Sequence, residues 1–432
     1  AFLFSVENTT LKFFFKRLQS QHLNSKVRNL YMIITDIRIN NLYCFDDFYV
    51  DFSYPRKVNS STIDYEFLEE RPSFNIKRFC VIMGTNSSGK TSFGKVLCGI
   101  ENFIVKKEIT DLLKKGICDK DKSASFEVKF VTPSDLKFHS LSLEFNAETA
   151  FPIKGLTYKS IPILQKDSCL SCRKKIDSIK SNVKNKNYTF ISANDNSNLI
   201  EKFDAFKNVQ FNDSHWAYSF YLNDSNEINL HNGNNPISKD ILEKVLKTFD
   251  PSIKGIDALT KNSTSKDAGY LVEFVNGDEV QLNSEGKVVS PNIDRLSKGT
   301  FDALSVMGFI ANVMTNTNSK ESYTYYLDEK LSSSHSEIEI DLLNLVVSKL
   351  AKNSQFIYTT HNNEVLNLNI PSHSFLFLSK KGNYVEAFQP EKMSFNKNDR
   401  TLFSYVKNNM FGTVPDTDYI TQLLLDDFNE RN

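Results

Sequence analysis

The chain has 432 residues, 40% hydrophobic and 24% charged, proportions of an ordinary globular protein that exclude a disordered or collagen-like chain. Lysine plus arginine number 52 and aspartate plus glutamate number 52, so no net field draws the molecule to nucleic acid, and binding of that kind would need a local basic patch. The length allows about three domains or one large α/β unit with insertions, and no apolar run approaches the roughly 18 residues that span a membrane.

Along the chain, Leu11, Phe14, Phe15 and Leu18 have helical spacing, while Glu7 and Asn8 follow the apolar residues 1–4 too closely for a secretory signal. Residues 1–31 are set apart as an N-terminal extension, with the folded domain starting at Met32. Residues 33–39 alternate like a half-buried strand, 49–52 give a second strand, and 78–83 form a short apolar run suited to a buried parallel strand. A helix is predicted over 92–104, with helical character continuing to about Leu113. The alternating stretches 125–131 and 139–145 predict antiparallel strands with one face to solvent, forming a β-rich arm. Residues 166–187, rich in Lys, Asn and Ser, read as an exposed excursion. A helical insertion is expected over 198–250, ending in the amphipathic segment 240–246. Strands resume at Tyr270, Val272 and Phe274 before an Asn276-Gly277 turn, and the last third alternates strand and helix, which predicts parallel α/β. There is no internal repeat and no sustained heptad pattern.

Gly84, Thr85, Asn86, Ser87, Ser88, Gly89, Lys90 and Thr91, with Ser92 next, satisfy G-x-x-x-x-G-K-[S/T] between the predicted strand and the predicted helix. Glycines let backbone N–H groups approach phosphate, and the helix start offers unpaired amides and the positive end of its dipole. Lys90 is expected to neutralise the β and γ phosphates of ATP. The Thr91 hydroxyl is expected to ligate Mg²⁺, which keeps most of its waters and takes few protein oxygens.

Residues 323–327 form an apolar β run ending in Asp328 and Glu329. Neighbouring side chains on a strand point to opposite sides, so the two carboxylates should have different tasks. Asp328 is expected to hold the Mg²⁺ shell, and Glu329 to orient or deprotonate the attacking water.

Between these elements, Leu296, Ser297, Lys298, Gly299 and Thr300 resemble the signature motif of ABC-type ATPases. Taken in order, the Gly84–Thr91 loop, this segment, Tyr326-Leu327-Asp328-Glu329 and Thr359-Thr360-His361-Asn362 resemble ABC-type P-loop ATPases of the SMC/OLD-related AAA family, over most of residues 32–432. Thr360-His361-Asn362-Asn363-Glu364 and the stretch 409–415 are most similar to the compact bacterial ATPases that work with a separate effector nuclease in antiphage defence. The resemblance implies an α/β ATPase head with a mixed or parallel central sheet, a β-rich arm and a helical insertion. Its parts would be a first lobe over 32–165, the excursion and insertion over 166–250, and a second lobe over 251–432.

The same resemblance assigns roles. Ser297 and Gly299 would face the γ phosphate of a second copy, so that ATP joins a homodimer with two composite sites, within which higher oligomers are also allowed. His361 would be the switch histidine that senses the γ phosphate, and residues 332–335 would couple the two sites. Asn194, where the family carries a glutamine after a strand, would reach Mg²⁺ through its amide oxygen on a shorter side chain.

Other signals point less far. Cys169 and Cys172 are half of a tetrahedral zinc set, and the reading favoured for them is an ordinary exposed pair. Singly scattered cysteines otherwise suit a reducing cytoplasm. Arg173, Lys174, Lys175, Lys180, Lys184 and Lys186 form a charge run that would meet nucleic acid or an acidic partner, although such runs are more often a solvated face. Tyr43 and Phe45 suit either adenine stacking or core packing. No Ser-His-Asp order or dense carboxylate cluster appears, so any effector chemistry is expected from another polypeptide. The expected function is a cytoplasmic Mg·ATP hydrolase controlling that effector, with an ATP-gated scaffold or an SMC-like DNA-repair ATPase as alternatives.

Overall fold

The computed structural model of the chain describes residues 31–55, 61–147, 152–180, 188–194, 199–211, 216–221, 227–229, 238–259, 269–284, 288–289, 296–331, 334–393, 401–415 and 417–422. The helical spacing at residues 11–18 lies outside them. In chain order, β1 (Ile33–Asn40), β2 (Phe48–Asp51), β3 (Phe67–Leu68), β4 (Arg71–Asn75) and β5 (Phe79–Met83) lead into α1 (Lys90–Lys106) and α2 (Asp111–Lys115). Next come β6 (Ala124–Thr132), β7 (Lys137–Phe145), β8 (Ile153–Pro162), α3 (Cys169–Asp177), β9 (Thr189–Asn194) and α4 (Leu199–Lys207). They are followed by β10 (Trp216–Tyr221), β11 (Glu227–Asn229), α5 (Lys239–Phe249), β12 (Ile253–Leu259), β13 (Gly269–Phe274) and β14 (Glu279–Asn283). The last elements are α6 (Lys298–Thr315), β15 (Thr324–Asp328), α7 (Ser336–Lys349), β16 (Gln355–Thr360), β17 (Phe375–Lys381), β18 (Tyr384–Phe388) and α8 (Leu402–Lys407).

The central sheet has seven strands in the order β11-β10-β15-β16-β5-β17-β18. Its five inner strands are parallel, and the two edges are antiparallel. Both faces are covered, which is why its inner strands read as continuous apolar runs. Along β5, Phe79, Val81 and Met83 face α5, α6 and α7, while Cys80 and Ile82 face α1. A second sheet, β2-β1-β6-β7-β8-β9, is antiparallel throughout. Helix α1 lies between the two sheets: Phe93, Val96, Leu97, Ile100 and Phe103 join residues of both in one core. The strands β12, β13 and β14 pack with α5 and α6 on the other side of the central sheet, and Gly277, at φ +86°, makes the turn between β13 and β14.

Four expectations about elements are corrected. Strand β1 is not half-buried: residues 33–37 are all buried, because α1 covers one face and α3 and β4 the other. For the same reason β6 and β7 are covered on both faces near Val131 and Phe138, while Ser125, Glu127, Ser142 and Glu144 keep the expected solvent face as the strands extend the sheet that contains β1. The excursion at 166–187 contains α3, whose Cys169, Cys172 and Ile176 are buried against Ile33, Phe74, Val131 and Phe138. The helical insertion contains β10, which pairs in parallel with β15 inside the central sheet.

Candidate functional site

The end of β5 turns straight into the loop 84–89. Gly84 is required there, since a Cβ would collide with Ser88 and the Leu378 carbonyl. Gly89 has φ +95°, and a Cβ there would stand 2.9 Å from Cys44 Sγ. Asn86 and Ser87 form the exposed crest, with Ser87 at φ +61°. Helix α1 starts at Lys90 with Gly89 as a cap that offers no side-chain bond, so its first amides are available to an anion. Ser88 Oγ is buried without a hydrogen-bond partner, an arrangement that costs free energy unless a ligand or water completes it.

Two strand ends meet this loop, those of β15 and β16. From β15, Asp328 accepts the Thr91 hydroxyl at 2.5 Å through Oδ2 and the Thr359 hydroxyl at 2.5 Å through Oδ1. Burial pushes the Asp328 carboxyl above its ordinary value, partly opposed by those two hydroxyls and by Lys90, while Glu329 adds to the rise. Lys90, only 5% exposed, donates to the carbonyls of Gly84 at 2.7 Å and Thr85 at 2.9 Å. Its ammonium also lies 3.0 Å from Glu329 Oε1. At φ +50° Glu329 leaves the strand geometry, its N–H donating to the Thr359 carbonyl at 3.1 Å. From the end of β16, His361 Nδ1 stands 3.7 Å from the same Glu329 oxygen. Asp328 and Glu329 therefore serve different partners.

One residue of this set escapes sequence reasoning. Tyr326 donates its hydroxyl to the Lys90 carbonyl at 2.6 Å, and its ring fills the space where a Cβ on Gly94 would fall. It locks the first turn of α1 to β15. A signal was available in a glycine inside the predicted helix and a large aromatic two residues before Asp328.

Other candidates lie elsewhere. Ser297 caps α6, accepting the Thr300 N–H at 3.1 Å, with the two hydroxyls 2.7 Å apart and Thr300 donating to Asp250 at 3.2 Å. Ser297 is exposed, and among the described residues no hydrogen bond joins it to the Gly84–Thr91 loop. Leu296 packs partly buried on the core, and Lys298 and Gly299 open the helix. Asn194 ends β9, the edge strand of the second sheet, four strands across from β1. Of the coupling segment, Ser332 and Ser333 lie outside the described residues, while His335 is exposed and pairs with Glu337 at 2.6 Å.

The discounted signals resolve further. Cys169 and Cys172 are buried rather than exposed, and burial pushes both thiols up to about 12, so neither is a ready thiolate for redox chemistry. Arg173 does not join an exposed charge run: it bonds Asp36 at 2.7 Å and Asp51 at 2.5 and 2.8 Å inside the fold. Lys184 and Lys186 lie outside the described residues. Phe45 is fully buried and Tyr43 donates to the Leu112 carbonyl at 2.8 Å, so core packing accounts for both. A cleft of about 400 Å³ lined by Lys107, Ile109, Ile153 and Phe203 shares no residue with the nucleotide motifs.

No protein-family model matches the chain, and no curated protein matches it. Among solved structures it is similar to an SMC head bound to the C-winged helix domain of ScpA, at 12% identity and a TM-score of 0.42, covering 83% of this chain and 98% of that one. It is also similar to the recombination mediator protein RecF of the RecFOR pathway with ATPrS, at 10% identity and a TM-score of 0.36 over 83% of this chain and 99% of that one. The RecF structure with ATP gives 10% identity and a TM-score of 0.35 over 84% and 100%.

Proposed function

We propose that the chain is a Mg²⁺-dependent, ABC-type ATPase whose nucleotide sites are completed by a second copy. The carrying observation is the convergence of Thr91, Asp328 and Thr359 beside Lys90, Glu329 and His361. The phosphates would lie on the loop amides and on Ser88 Oγ, the buried hydroxyl that lacks a partner. Lys90 would then exchange Glu329 for the β and γ phosphates, freeing that carboxylate to orient the attacking water and accept its proton. His361, beside Glu329, would touch the γ phosphate from the β16 side.

The donor set suits magnesium. Thr91 and Asp328 offer hard oxygens 2.5 Å apart, and a divalent cation would stabilise the buried carboxylate that burial alone disfavours. Among the described residues no three His, Cys, Asp or Glu side chains cluster as a metal cage, and Mg²⁺ with phosphates needs only one or two protein oxygens. When bound, the ion neutralises charge on the β and γ oxygens. A reach of Asn194 to the ion rests on the sequence resemblance alone.

Exposed Ser297 at the start of α6 supports assembly in trans, with ATP between two chains. Control of a separate effector, a nuclease in antiphage defence, rests on the sequence resemblance alone. Among the described residues no helix is long and apolar enough to cross a membrane. The test is phosphate release together with mass by light scattering, with and without Mg·ATP, on wild type and Glu329→Gln. The proposal expects ATP-dependent pairing that the variant makes permanent while losing hydrolysis. Unchanged mass and no phosphate from the wild type would leave only a nucleotide-bound scaffold.

A further inference from the structure

His361 lies just past the last paired residue of β16, where the sheet no longer fixes the backbone. What holds it is on the other side of the strand. Glu339, fully buried in the first turn of α7, receives three donors: Tyr358 Oη at 2.6 Å and Thr360 Oγ1 at 3.1 Å on Oε1, and Asn362 Nδ2 at 2.7 Å on Oε2. Asn362 Nδ2 also donates to Ser336 Oγ at 3.1 Å, and the Asn362 N–H to Thr360 Oγ1 at 3.0 Å.

Residues 358, 360 and 362 share one face of an extended segment, and 359 and 361 share the other. That other face is the reacting one: Thr359 donates to Asp328 and His361 approaches Glu329. From this alternation we infer that Glu339 is the positioning residue for His361. By holding the even-numbered face, its carboxylate extends strand geometry two residues beyond the sheet and aims the imidazole at Glu329. Because Ser336 and Glu339 are one helical turn apart on α7, a shift of that turn carries His361 with it. The inference rests on the ATPase reading for its consequence, but not for its geometry.

The test has two arms. In the first, imidazole resonances of the nucleotide-free protein are compared between wild type and Glu339→Gln, with His361 assigned by its loss in His361→Gln. The His361 signal should move, while His139 and His373, buried elsewhere, stay in place. An unmoved His361 overturns the inference. In the second, Glu339→Gln should lower kcat roughly 10- to 100-fold, the scale of a misplaced catalytic group, with KM for ATP within about twofold. The same substitution in a His361→Ala background should cost nothing further, whereas additive losses would reveal a merely structural role. Should Glu339→Gln fail to fold, Asn362→Ala removes one donor at a half-buried position and must move His361 in the same way. A wild type that releases no phosphate defeats the ATPase reading, and the resonance arm still decides the role of Glu339.

Discussion

At the scale of single residues, the candidate site is an economy of pairs that ATP must rearrange. Lys90 is held by two carbonyls and Glu329, so Lys90→Ala should remove nucleotide binding, read as loss of saturation in a fluorescent-ATP titration. Retained affinity within about threefold would contradict the role given to its charge. Tyr326 makes a subtler claim. Tyr326→Phe keeps the ring but removes the hydroxyl's hydrogen bond to the Lys90 carbonyl, at a cost of about 1–2 kcal/mol in urea unfolding. Gly94→Ala drives a methyl into that ring and should cost about 1–3 kcal/mol by overpacking. If both variants unfold like wild type, Tyr326 does not lock the first turn of α1. The loop and both carboxylates were legible because phosphate chemistry demands those residue types at that spacing. Tyr326 and Glu339 were not, because a buried tyrosine or a glutamate in a helix has no diagnostic pattern until its partners are in place.

At the scale of elements, legibility followed how a strand or helix distributes its apolar surface. Strand β5 is five consecutive buried residues and announces itself. Strand β10 does not: Trp216 and Tyr218 face α1 while the small Ala217 faces α6, so its pattern is that of neither an amphipathic strand nor a plain apolar run. Helix α3 hides its buried stripe in Cys169, Cys172 and Ile176, because cysteines behave as small hydrophobes yet invite a metal reading. The contact between α1 and β10 also carries a titration. Glu101 is fully buried, accepts Tyr218 Oη at 2.9 Å, and is pushed by burial from 4.5 up to about 7. Below pH 4.5 both states are protonated. Between 4.5 and about 7 the unfolded chain loses its proton while the folded one keeps it, so stability falls as pH rises. The full rise corresponds to about 3 kcal/mol. Glu101→Gln should therefore match wild type near pH 4 and exceed it near pH 8, in urea midpoints. An unchanged difference between those pH values would show that Glu101 titrates normally.

At the scale of the whole molecule, the decisive question is whether one chain contains a complete site. Thr91, Asp328, Glu329 and His361 converge within the chain, but Ser297 points its capped helix start to solvent. A site completed by symmetry has a consequence no single-chain site shares. Ser297→Arg should bind nucleotide normally yet keep its single-chain mass with Mg·ATP, and Lys90→Ala should fail to pair for want of nucleotide. Each alone should release no phosphate. Mixed, they form pairs in which the intact Lys90 of one chain meets the intact Ser297 of the other. Only mixed pairs form, each with one good site in two, so phosphate release should return to at most about half of wild type for independent symmetric sites. If Ser297 instead acted within its own chain, each variant would carry a broken site into every pair. Mixing would then restore nothing, and the proposed ATP-linked assembly would have to be abandoned.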